Sequence, residues 1–256
     1  MVNALTRVQA MIQLDRQKGA SFAFLMGVII LMLFGLVRVM NWMSDEQQLP
    51  LSQLVVEGDQ AHVTAMQVRD AVLSDGNLKS FMLQDVDRIQ ASIEALPWVK
   101  HVAVRKQWPD TLKAHITEYR ASAIWNGQKL LTPDAEVFQG APSDVADTPL
   151  ISLHGTKGSA EEVLRTSREL EDELRHIGLS IQALSLNKRR SWRIITRDGV
   201  RIELGRTARQ ERLARLVSLY PRIKAQDKAI AYVDLRYDTG AAVGWKSETD
   251  DANSQD

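Results

Sequence analysis

Hydrophobic positions follow three different patterns along this chain. Between Lys18 and Arg38 nineteen consecutive residues carry no charge, GASFAFLMGVIILMLFGLV. At about 1.5 Å per residue, such a helix spans roughly 30 Å, the hydrocarbon thickness of a bilayer. A buried core helix of that length normally keeps polar positions on one face, and here only Ser21 serves. A cleaved signal peptide has a shorter apolar region and a small-x-small site, whereas this run continues into Arg38, Val39, Met40, Asn41, Trp42 and Met43. The pattern predicts a retained single-pass helix over residues 20–42 behind a short tail, 1–19. Arg7, Arg16 and Lys18 outnumber Asp15 before it, and Asp45 and Glu46 outnumber Arg38 after it. The amino terminus is therefore expected inside and the remainder outside.

The second pattern, over residues 50–119, alternates strand and helix periods. Leu54-Val55-Val56 reads as a short strand ended by Glu57-Gly58-Asp59. Thr64 and Gln67 have capping-box spacing ahead of Val68, Ala71 and Val72. Asp85 reads as the N-cap of a second helix carrying Ile89, Ile93 and Leu96, which Pro97 stops. Val102 and Val104 then alternate with polar neighbours, Trp108-Pro109-Asp110 turns the chain, and Leu112, Ala114 and Ile116 continue on the return strand. The order is β-α-α-β-β, a small α+β module.

The third pattern, over residues 120–245, is mainly β with two helices. Asn126-Gly127 and Asp198-Gly199 each sit between short apolar runs and read as hairpin turns. Ser159 with Glu162, and Thr207 with Gln210, repeat the capping-box spacing. The first of these helices bears Val163, Ser167, Leu170, Leu174 and Ile177 and closes at Gly178. The second bears Leu213, Leu216, Val217 and Tyr220, and Pro221 is expected to end it. Ile230–Tyr237 is expected as the final strand, before Gly240 and the apolar stretch Ala241–Trp245. Residues 246–256 contain one lysine, four acids and no large apolar side chain, and are expected to be a disordered tail.

Composition narrows the chemistry. The 256 residues carry 32 basic and 32 acidic side chains and no cysteine. Zero net charge argues against a nucleic-acid binder, and without cysteine there is no disulfide framework or thiolate site. A mean hydropathy of −0.21 requires most of the chain to be soluble. No HExxH, GxSxG, GxxxxGK[ST] or GxGxxG motif occurs. The five histidines never approach metal-ligand spacing, and the acidic pairs fall on the solvent side of an amphipathic helix. The sequence offers no enzyme. Lys188-Arg189-Arg190 beside Trp192 reads either as a solvated loop or as a contact for phosphate or an acidic partner. Tyr237, Val243 and Trp245 just before the tail read in two ways: as core residues of the closing strand, or as an exposed edge that a partner covers by strand addition.

Three strings carry a resemblance: Leu96-Pro97-Trp98-Val99 through Val104-Arg105-Lys106-Gln107-Trp108-Pro109-Asp110, then Arg189-Arg190-Ser191-Trp192, and Tyr232-Val233-Asp234-Leu235-Arg236-Tyr237-Asp238-Thr239-Gly240 through Trp245. In this order they resemble the FtsQ/DivIB family of bacterial cell-division proteins, in its enteric Gram-negative form. The resemblance implies an α+β chain with a single-pass membrane helix, a β-α-α-β-β POTRA domain (50–119) used for docking, and a mainly antiparallel β domain with two helices (120–245). It implies a non-enzymatic inner-membrane scaffold of the divisome, at the septum, with its C-terminal ectodomain in the periplasm and no cofactor. By the same resemblance it binds FtsB and FtsL and helps control the septal peptidoglycan synthases FtsW and FtsI. Its POTRA domain serves upstream recruitment, by FtsK. The implied FtsB site uses Arg190 as a charged contact, Tyr237 and Trp245 as aromatic anchors, Thr239 and Gly240 as backbone-pairing positions, and Arg236 beside them. Thr239 stands where the enteric sequences are associated with serine; its extra methyl group threatens to crowd the partner. A Tyr/Trp/Arg set is also the composition of binding hot spots. The rival reading is a POTRA-bearing chaperone or translocation component, which typically carries several such modules or a membrane barrel.

Overall fold

The computed structural model describes residues 24–40, 53–74 and 85–246. The expected N-terminal tail, both ends of the expected membrane helix and residues 247–256 of the expected C-terminal tail lie outside the described residues. Helix α1, over residues 24–40, has exposed side chains throughout. Among the described residues no helix is long and apolar enough to cross a membrane. The chain divides into two compact units. One comprises the residues up to Gly58 with Thr64–Ile93 and Val102–Ile116, and the other Asp59–Val63, Glu94–His101 and the chain from Thr117 onward.

The β-α-α-β-β order is present as β1 (Gln53–Gly58), α2 (Ala65–Ser74), α3 (Val86–Glu94), β2 (Val99–Gln107) and β3 (Thr111–Glu118). The helix starts form as their spacing requires. The Thr64 N–H donates to Gln67 Oε1 at 2.8 Å, and the Gln67 N–H donates back to Thr64 Oγ1 at 3.2 Å. Asp85 Oδ1 accepts from the N–H groups of Asp87 and Arg88 at 3.1 and 3.3 Å. These bonds satisfy amides that have no partner inside the helix. Val68, Val72, Ile89, Ile93, Val102, Leu112, Ala114 and Ile116 are buried. The sheet order is β1-β3-β2, with β1 parallel to β3.

The second unit holds a nine-stranded sheet, in the order β12-β11-β10-β9-β8-β7-β4-β5-β6. Its elements are β4 (Ala123–Trp125), β5 (Lys129–Leu131), β6 (Val137–Phe138), a 3-10 turn (Pro142–Val145), β7 (Ile151–His154), α4 (Ala160–Arg175), β8 (Ile181–Leu186), β9 (Trp192–Thr196), β10 (Arg201–Gly205), α5 (Arg209–Lys224), β11 (Ile230–Asp234) and β12 (Ala242–Trp245). The sheet is mainly antiparallel, as expected, with five of its eight pairings of that kind, but it is mixed: β4–β7, β7–β8 and β10–β11 are parallel. The reason is topological. Placing α4 between β7 and β8, and α5 between β10 and β11, makes each a crossover that returns the chain in the same direction. Helix α4 packs on β7 and β8, and α5 on β10, so one sheet face is covered and its core includes Leu153, Leu170, Leu184, Ile194, Ile202 and Leu216. Both hairpin turns form, with Asn126, Gly127 and Gly199 at positive φ.

Four local expectations fail. Ser159 makes no cap; its hydroxyl donates to the Thr156 carbonyl at 2.8 Å, and Glu162 is held elsewhere. Helix α5 starts behind Ala208 at φ 54°, with no side-chain cap from Thr207. It also runs through Pro221 to Lys224. The ring forfeits one amide donor, and the burial of Tyr220 and Ile223 keeps the last turn in place. The strand expected over Ile230–Tyr237 stops at Asp234, because the chain must turn back to form β12.

Candidate partner-binding edge

Strand β12 is the last of the nine-stranded sheet and pairs only with β11, antiparallel, with Asp234 opposite Ala242 and Ile230 opposite Trp245. Among the described residues nothing pairs with its outer side. The far border, β6, is only two residues long, so β12 is the longer template. Along one sheet row Arg201, Tyr232 and Gly244 lie side by side. The Arg201 guanidinium sits 5.2 Å from the centre of the Tyr232 ring. That ring lies across Gly244 and fills the space a Cβ would need. Val243 and Trp245 are half-buried and pack against the core.

The β11–β12 connection carries Arg236, Tyr237, Thr239 and Gly240. Tyr237 is 59 % exposed and Thr239 is exposed. Gly240 has open space where a Cβ would stand. Arg236 folds back on Asp234, with Nη2 2.6 Å and Nε 2.9 Å from its carboxylate oxygens. Hydrogen bonding from that guanidinium outweighs burial, holding the Asp234 carboxyl below the usual carboxylate range and raising Arg236. The connection is tied to α5 by Arg212 and Arg215, which donate only to backbone carbonyls there.

Five of the six expected site residues thus lie along one border rather than in a cleft, and Arg190 lies off it. Arg236, Tyr237, Thr239 and Gly240 share the connection at one end of β12, and Trp245 lies at the other. Arg190 belongs to the β8–β9 turn, near the end of the sheet that holds the connection, since Trp192 opens β9 opposite Gly205. It stands at φ 64° and its guanidinium is committed to Glu162, with two bonds of 2.7 and 2.6 Å. That pairing keeps the Glu162 carboxyl below its ordinary range. The acidic runs of α4 are accordingly not all solvated: Glu162 binds Arg190, and Glu171 accepts from the Ile181 N–H at 2.7 Å.

A second polar cluster lies elsewhere in this unit. The His62 ring stacks on Trp98 at 3.6 Å, and Glu118, nearly buried, accepts from the N–H groups of His62 and Val63. Trp98 Nε1 donates to Asp144 at 2.8 Å, which lowers the Asp144 carboxyl. The two carboxylates thus join side chain to backbone: Glu118 meets the His62 ring as well as two amides, and Asp144 accepts from the Ala141 N–H as well as from Trp98. Among the described residues no group of three His, Cys, Asp or Glu is placed to hold a metal ion.

A family model described as "Cell division protein FtsQ/DivIB, C-terminal" matches residues 123–236, and one described as "POTRA domain, FtsQ-type" matches residues 49–119. The chain is 42 % identical to the cell division protein FtsQ of Vibrio cholerae, covering 90 % of this chain and 87 % of that one. It is 41 % identical to FtsQ of Escherichia coli, with 88 % and 84 % covered. To FtsQ of Shewanella oneidensis it is 34 % identical, with 88 % and 86 % covered. The chain belongs to the FtsQ/DivIB family.

The FtsQ/DivIB C-terminal match includes Arg190 and Arg236 but ends there, so Tyr237, Thr239, Gly240 and Trp245 lie just beyond it. Sequence reasoning missed three residues that build this border: Tyr232, Arg212 and Arg215. For Tyr232 the signal was available in principle, as a tyrosine followed at a hairpin-like interval by a glycine that it can cover. For the two arginines only their i, i+3 spacing on one helix face hinted at a shared target.

Proposed function

We propose that this member of the FtsQ/DivIB family is a non-enzymatic scaffold of the bacterial division machinery that receives a strand from FtsB, in complex with FtsL, on the outer side of β12. Residues 20–42 anchor it in the inner membrane, with residues 1–19 in the cytoplasm. Residues 50–119, as the POTRA domain, contact upstream factors such as FtsK, and residues 120–245 hold the FtsB site in the periplasm. Through FtsB and FtsL the scaffold helps control septal peptidoglycan synthesis by FtsW and FtsI. One observation supports the docking reading above the rest: a strand of alternately packed residues ends the large sheet with no strand on its outer side among the described residues, with an exposed Tyr237 before it and a half-buried Trp245 at its end. Unpaired backbone groups provide register, and aromatic side chains beside them provide affinity. Arg190, already paired with Glu162, would exchange that carboxylate for an acidic residue of the partner.

The test is calorimetric titration of the full-length chain, in detergent micelles, with the periplasmic segment of FtsB. Tyr237→Ala and Trp245→Ala are each expected to weaken binding by at least ~2 kcal/mol, the loss typical of central aromatic anchors, with circular dichroism unchanged. Wild-type affinity in both variants would reject the site.

A further inference from the structure

Helix α5 reaches over the end of the sheet with two arginines one turn apart. Arg212 is 8 % exposed. Its Nη1 donates to the Leu204 carbonyl at 2.8 Å and its Nη2 to the Arg236 carbonyl at 3.1 Å. Half-buried Arg215 donates from Nη1 to the carbonyls of Tyr237 (2.6 Å) and Gly240 (3.2 Å), and from Nη2 to that of Asp238 (2.6 Å). Between Arg236 and Gly240, four of five carbonyls are therefore captured by two guanidinium groups. A guanidinium is planar and presents its donors in a fixed fork, so three carbonyls can meet it only in one arrangement of the chain between them.

We infer that Arg215 is a positioning residue for the docking border: it holds the β11–β12 connection in its binding shape before any partner arrives, without touching that partner. This inference rests on the docking reading above. The connection has no regular ladder of its own, since pairing resumes only at Ala242. A loop left to itself must be ordered on binding, and that cost is subtracted from affinity; ordering it beforehand improves affinity with no added contact. Arg215 also orients what the partner meets. Its bond to the Tyr237 carbonyl fixes the backbone that carries the exposed phenol, and its bond to the Gly240 carbonyl fixes the entry to β12. Arg212, by contrast, is buried among the same strands and serves the fold.

The experiment uses the full-length chain in micelles, with the periplasmic segment of FtsB as probe, and hydrogen exchange on the free protein as an independent readout. Arg215→Ala is expected to weaken binding at least tenfold and to speed exchange of the amides between Tyr237 and Gly240 at least tenfold, leaving those of β10 and β11 unchanged. Because Arg215 acts through the connection, adding Arg215→Ala to Tyr237→Ala should weaken binding far less than it does in the wild type. Fully additive losses would make Arg215 a direct contact and overturn the inference, as would unchanged affinity alongside wild-type losses at Tyr237 and Trp245. If neither aromatic substitution matters, the docking reading itself falls, and unchanged exchange in Arg215→Ala would separately reject the positioning role. Should Arg215→Ala not fold, Arg215→Lys keeps the charge without the fork; wild-type affinity in that variant overturns the inference.

Discussion

Gly244 and Asp234 show how individual residues shape the border. At Gly244 the Tyr232 ring occupies the place of a side chain, so Gly244→Ala must displace the ring from Arg201. Overpacking of this kind costs about 1–3 kcal/mol, and urea unfolding should show it as a lower midpoint with an unchanged slope. Asp234 carries the clearest pH signature. Its carboxyl is depressed in the folded protein, chiefly by the hydrogen bond from Arg236. A depressed folded-state value contributes stability above the unfolded value of roughly 3.9, and the contribution is lost as pH falls through the folded-state value. Asp234→Asn is expected to be less stable than wild type at neutral pH and to lose less on acidification below about pH 4. Melting temperatures followed from pH 7 to pH 2 test this, and parallel curves for the two proteins would contradict it.

Elements show which local signals survive folding. Thr64-x-x-Gln67 and Thr207-x-x-Gln210 carry the same signature, yet only the first becomes a reciprocal cap. In front of α5 the N-cap position falls to Ala208, in the left-handed region and without a side chain that can cap, so Thr207 stands one residue outside the position its spacing predicts. Thr64→Ala should therefore cost about 1 kcal/mol, while Thr207→Ala, at an exposed position outside any cap, should fall within about 0.5 kcal/mol of wild type. Denaturant titration of the two variants decides between them. The Asn-Gly and Asp-Gly turns were legible because positive φ is a demand on one or two residues alone. Pro221 misled because its missing amide is a local cost, whereas burial of Tyr220 and Ile223 is a tertiary gain. The Ile230–Tyr237 run misled for the same reason: its apolar residues extend past the point where the chain bends back.

Across the whole molecule, each unit has its own apolar core. Leu112 in the first and Leu184 in the second are fully buried. Truncating either to alanine should cost about 2–5 kcal/mol, and the loss should appear first in the unit that holds the residue. Limited proteolysis coupled to mass spectrometry would locate it; identical cleavage patterns in the two variants would argue for a single cooperative core. At this scale the membrane helix is the expectation that composition supports most strongly. On the proposal that residues 20–42 anchor the chain, Ile30→Lys, in the middle of the uncharged run, is expected to cost roughly 3 kcal/mol of insertion. It should release part of the protein from membranes washed at alkaline pH.

By itself the sequence determined the types of elements, their order and most of their turns, because periodicity, caps and Asn-Gly pairs act over a few residues. It also determined the uncharged run, a property of consecutive side chains. Tertiary structure alone decided which strand ends the large sheet, that two helix crossovers make the sheet mixed, and that Arg190 faces Glu162 while Arg215 grips three carbonyls more than twenty residues away in the chain. Such choices depend on which distant segments meet in space, and neither hydrophobic period nor local spacing encodes a meeting of that kind.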